Sequence, residues 1–135
     1  MIKWAGWIIT LCGIGHTTGS LIETAPDNAN RWFDGSLWSA GGQDFGAWSE
    51  PVATFWYTLY SFGPPLLLVG VTVLWLERRG ITPPPFIAWA IAAWVVVTFV
   101  AFGWSPLPLL LIASGLLLVG HGRAGRPDRE PALTA

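Results

Sequence analysis

At 135 residues, with 53% hydrophobic and only 11% charged side chains, the chain carries too little charge to cover the surface of a soluble domain. A net charge of −1 leaves no electrostatic footprint for a nucleic acid. The single cysteine, Cys12, excludes an intrachain disulfide and a metal cluster built on thiolates.

The apolar residues fall into four runs, which predict an all-α, four-helix transmembrane bundle over residues 1–121 followed by a disordered cytoplasmic tail, 122–135. The first helix is expected over about 4–22, long enough at ~1.5 Å per residue to cross a core of about 30 Å. Glu23 stands where signal-peptide cleavage near Ala25 would want a small side chain, so this run is read as a retained span. Leu11, just before Cys12, likewise disfavours lipoprotein-type processing.

A long polar connection, 23–51, comes next and is rich in Trp, Gly and Asp. A connection of this length is expected to be structured, with a short interfacial helix around Asn30 to Trp38 capping the bundle. The second helix is expected over about 52–76, bent by Gly63, Pro64 and Pro65, where the prolines remove backbone donors. The third, about 86–104, starts after Pro83, Pro84 and Pro85, and the fourth, about 107–121, is the shortest.

Charge sets the orientation. Lys3 precedes the first run, Arg78 and Arg79 come after the second, and Arg123, Arg126 and Arg129 after the fourth; only Arg31 lies in the long connection, beside five acids. Cytoplasmic loops of membrane proteins keep Lys and Arg, so both termini are expected in the cytoplasm and the long connection outside. Bacterial cytoplasmic membrane is the expected location, and membrane lipids the first partners.

Two polar stripes form the one candidate site. On the first helix Cys12, Gly13, His16, Gly19, Ser20 and Glu23 recur at steps of three and four; on the second, Glu50, Thr54, Tyr57, Thr58 and Ser61 do the same. Counted from the outer ends, His16 lies roughly 10 Å deep and Thr58 roughly 12 Å deep, so the stripes can face each other. His16, Ser20, Glu23, Glu50, Thr54, Tyr57, Thr58 and Ser61 are therefore the candidate polar pocket, with a hydroxyl of the second helix as partner of His16. The alternative is a histidine that only completes internal hydrogen bonds. Gly15 and Gly19 form a small-x-x-x-small pair suited to close helix packing within the bundle.

No cofactor or metal is expected. His121 falls at the inner end of the fourth helix, roughly 20 Å along the membrane normal from His16, too far for the two to share a haem. It is expected to cap that helix. The acids have no metal-ligand spacing.

The segments GIGHTTGSL and FWYTLYSFGPPLLLVG, with the Trp-containing connection between them, resemble an uncharacterised family of small bacterial four-span membrane proteins, a domain of unknown function. The resemblance implies the fold and points to His16; it implies no activity. The expected role is a membrane protein that binds a small amphiphile, such as an isoprenoid or lipid headgroup, or a partner protein, through the outer half of the bundle. One alternative is a membrane enzyme acting on a lipid-soluble substrate, with His16 as acid or base and Glu23 or Glu50 assisting. The other is a transporter or a subunit of a larger membrane complex.

Overall fold

A computed structural model describes residues 1–34, 47–102 and 107–125, and every regular element among them is helical. The elements are α1 (Ile2–Trp32), α2 (Glu50–Thr54), a π-helical turn (Phe55–Leu59), α3 (Gly63–Arg78), α4 (Pro85–Phe102) and α5 (Pro108–Ala124). Residues 35–46 and most of the tail, where the interfacial helix and the disordered segment are expected, lie largely or wholly outside the described residues. The helical run Glu50–Arg78 is long and apolar enough to cross a membrane.

The chain divides into two compact units, Ile9–Gly70 and a second formed by Met1–Ile8 with Val71–Ala135. In the second unit α4 and α5 pack through buried Ala88, Ile91 and Val95 on one side and Leu110, Ala113, Ser114 and Leu117 on the other. Steps of three and four put each set on one helical face. The start of α1 joins them through two glycines. A Cβ on Gly6 would come 2.8 Å from Leu74 Cδ2, and one on Gly120 would come 2.6 Å from Ile2 Cγ1. Val96, Phe99, Val100, Pro108 and Leu111 line an apolar groove of about 160 Å³ between α4 and α5.

In the unit Ile9–Gly70, α1 extends ten residues past the expected end at Ile22, so the connection begins at residue 33 rather than 23. Pro26 removes one N–H from the α1 ladder without ending it. Tertiary packing holds the extension: Trp32 and Val52 are buried together, with Ala25, Ala29, Trp48, Phe55, Trp56 and Leu59 around them. The Trp32 indole N–H donates to the Pro51 carbonyl at 3.1 Å and ties the end of α1 to the first turn of α2.

The second expected helix is one run broken in the middle. Tyr60 N–H donates to the Phe55 carbonyl at 2.8 Å, the five-residue step of a π-turn. Its signature is visible in the side chains. Residues five apart point about 140° away from each other on an α-helix, yet the Phe55 and Tyr60 rings stack at 5.9 Å and 10°. Pro64 and Pro65 then deny N–H donors to the carbonyls of Tyr60 and Ser61, and the chain turns through 60–62 before α3 begins at Gly63.

Close approach of α1 to α3 in this unit uses glycines other than the expected pair. A Cβ on Gly13 would come 2.6 Å from Leu67 N and 2.9 Å from the Gly63 carbonyl oxygen. One on Gly70 would come 2.9 Å from Thr10 Cα, and the buried Thr10 hydroxyl at that contact has no hydrogen-bond partner among the described residues. Cβ atoms on Gly15 and Gly19 would meet nothing within 4 Å. The small-x-x-x-small pair therefore faces away from the packing expected of it.

Candidate functional site

The Gly13–Gly63 contact positions the site. A Cβ on Gly63 would collide with the Thr17 hydroxyl and lie 3.1 Å from His16 Cδ2, so only glycine there lets the imidazole reach across. His16 stacks on Phe62, with ring centroids 3.8 Å apart at 25°. Its Nε2 lies 2.9 Å from Ser61 Oγ and 3.2 Å from the Thr58 carbonyl oxygen, and the Ser61 hydroxyl itself donates to that carbonyl at 2.8 Å.

The hydrogen-bond partners in this triangle assign the tautomer. With the Ser61 proton committed to Thr58 O, both atoms facing Nε2 are acceptors, so Nε2 carries the hydrogen and donates to them. The partner is thus a helix-two hydroxyl, as expected, but it is that of Ser61 together with a main-chain carbonyl. The Thr58 hydroxyl turns back to the Thr54 carbonyl, and the Thr54 hydroxyl to that of Glu50.

The other expected members of the pocket are placed differently. Ser20 is buried one turn beyond His16, and its carbonyl accepts from Thr24 at 2.6 Å. Glu23 and Glu50 are not drawn into the His16 contacts, and Tyr57 is exposed with its ring 5.3 Å from Trp48. Among the described residues, no group of three His, Cys, Asp or Glu side chains could hold a metal ion. Sequence reasoning missed Phe62, whose ring supports His16; it placed Gly13 on the polar stripe and Gly63 at the bend, but not as the close contact that admits the imidazole. The available signal was the Gly-x-x-His-Thr spacing of α1, which places Gly13, His16 and Thr17 on one face.

The match to a family of unknown function, DUF6463, runs over residues 1–124 and so takes in the whole His16–Ser61 arrangement. The chain belongs to that family. No curated protein and no solved structure matches it. Membership in DUF6463 agrees with the resemblance carried by GIGHTTGSL and FWYTLYSFGPPLLLVG, the two segments that meet at His16.

The two edges of the imidazole set the chemistry open to this DUF6463 arrangement. One edge is spent on holding α1 to the broken helical run. The other edge offers a lone pair on Nδ1.

Proposed function

We propose that this DUF6463 protein is a four-span integral protein of a bacterial cytoplasmic membrane, with both termini in the cytoplasm, and that its outer half binds a small amphiphile, an isoprenoid or a lipid, without catalysing a reaction. Support for the membrane reading comes from α4. It carries no charged residue and exposes Phe86, Trp89, Val96, Val97, Phe99 and Val100 while burying little more than Ala88, Ile91 and Val95. A helix apolar on all sides belongs either in a large protein core or in lipid, and the described residues supply no core that covers these side chains. Lys3, Arg78, Arg79 and Arg123 sit at the start of α1 and the ends of α3 and α5, the alternation expected of cytoplasmic ends.

The binding reading rests on one observation: His16 is oriented by Ser61 and Thr58, and no described residue bonds to its second nitrogen. An oriented imidazole is also the form a general base takes. Neither of the two carboxylates that would assist bonds to the ring, however. Binding therefore stands ahead of catalysis.

The test is thermal melting of the purified protein with a panel of isoprenoids and lipids, for wild type, Ser61→Ala and His16→Gln. At least one amphiphile should raise the wild-type melting temperature, and the rise should shrink in the variants. No shift with any member of the panel would overturn the binding reading. Topology is tested separately by reporters: fusions at the N-terminus, near Gly80 and at the C-terminus should report cytoplasm, and one near Gly41 the exterior. A cytoplasmic signal near Gly41 would overturn the four-span arrangement.

A further inference from the structure

We propose that the open edge of His16, together with the hydroxyl of Ser20, receives a primary ammonium group, as carried by an ethanolamine-type lipid headgroup. The inference rests on the amphiphile-binding reading above and names the chemistry of that ligand.

The first observation is the direction of the imidazole. Its Cδ2–Nε2 edge faces Gly63, Ser61 and Thr58, so Nδ1 lies on the far side of the ring. With Nε2 protonated, Nδ1 is a lone-pair acceptor, and no described residue donates to it. The second is Ser20, four residues on along α1 and so on the same face. It is 8% exposed, its carbonyl serves Thr24, and its hydroxyl bonds to no described residue. These two polar groups lie one turn apart with no partner among the described residues, and an incoming donor would serve them.

Charge decides which donor. The unit Ile9–Gly70 holds five acids against one base, Arg31, and Glu23, Asp27 and Glu50 lie on the described helices of that unit. An anionic headgroup would meet like charge and an Nδ1 that has no proton to give. A quaternary ammonium satisfies the charge but has no N–H for Nδ1. A primary ammonium satisfies both, donating one N–H to Nδ1 and another to Ser20 Oγ, with its positive charge favoured by the acidic balance of the unit.

The deciding measurement is melting of the full chain in micelles doped with phosphatidylethanolamine, phosphatidylcholine or phosphatidylglycerol of identical acyl chains, with free ethanolamine as a fourth arm. Phosphatidylethanolamine should raise the melting temperature more than the other two lipids. Ser20→Ala, which leaves the His16 bonds to Ser61 and Thr58 in place, should reduce that margin, and His16→Gln should abolish it. The ¹⁵N shift of His16 Nδ1 should move with phosphatidylethanolamine and not with phosphatidylcholine. A rise with free ethanolamine would support the amine and make a soluble molecule its source; no rise would assign it to the lipid. Equal shifts from all three lipids, a largest shift from phosphatidylglycerol, or a margin unchanged in Ser20→Ala and in His16→Gln would overturn the amine assignment while leaving amphiphile binding intact. No shift with any lipid would overturn the binding reading itself.

Discussion

The two units of this chain are built by different means. In the unit formed by Met1–Ile8 and Val71–Ala135, α4 and α5 run without interruption and meet through Ala, Val, Ile and Leu; six of the seven cationic residues belong to this unit. The unit Ile9–Gly70 holds five of the eight acids, a π-turn, a helix break and every residue of the candidate site. Regular apolar packing tolerates local change because each contact contributes a little. Where a break has freed carbonyls, a few directional contacts have to hold the elements together, and single changes should tell.

The largest loss is expected at the aromatic contact of the acidic unit. Trp32→Ala removes a buried indole and its bond to the Pro51 carbonyl, and should lower stability by about 3–5 kcal/mol in a denaturant titration. Trp32→Phe should recover most of this. If Trp32→Ala unfolds no more easily than wild type, the extension of α1 beyond Ile22 contributes no packing.

Next is the glycine contact beneath His16. Gly13→Val places a side chain 2.6 Å from a backbone nitrogen, which cannot yield as a side-chain tip would, and a loss of about 3 kcal/mol is expected. The same substitution at Gly15 meets open space and should change little. Equal losses at the two positions would show that the helix faces are assigned wrongly.

A matched pair of serines isolates the directional bonds. Ser61→Ala takes away an acceptor of the His16 N–H and should cost about 1 kcal/mol, and His16→Leu, which removes the donor, about 1–3 kcal/mol. In the other unit the buried Ser114 hydroxyl donates only to Leu110 within its own helix, so Ser114→Ala should be close to neutral. A larger loss at Ser114 than at Ser61 would reverse the comparison.

The smallest effect has the opposite sign. Gly115 lies inside α5 with nothing within 4 Å of a Cβ, so Gly115→Ala should raise stability by about 0.5–1 kcal/mol through helix propensity alone. Gly120→Ala, further along the same helix, would press against Ile2 and should lose that gain. Melting temperatures of the two variants are enough to decide it.

How far the candidate site was legible can be traced along the second helical run. Counting in threes and fours from Glu50 assumes one continuous α-helix, and it places Glu50, Tyr57 and Ser61 on a common stripe. The π-turn at Phe55–Leu59 inserts one residue into the count and rotates the residues after it by about 100°. Ser61 reaches His16 while Tyr57 turns to Trp48 and stays exposed. No periodicity rule reveals such an insertion, because the aromatic residues that stack across it read the same in either helix. The pair Gly15 and Gly19 misled for a related reason: spacing shows that two glycines share a face, and only a neighbour shows whether the face is used.

By itself, the sequence determined the helical class, the excess of apolar surface, the separation of basic from acidic segments, the proline-induced break in the second run, and His16 as the group to watch. These depend on composition and on local covalent constraints, such as a proline without an N–H, which act wherever the chain lies. Tertiary structure alone decided that α1 continues to Trp32, that Gly13 and Gly63 carry the close contact, and that a carbonyl and Ser61 hold the imidazole. Each of these depends on which atoms a second segment, distant along the chain, brings within a few ångströms, and a one-dimensional pattern holds no record of that distance.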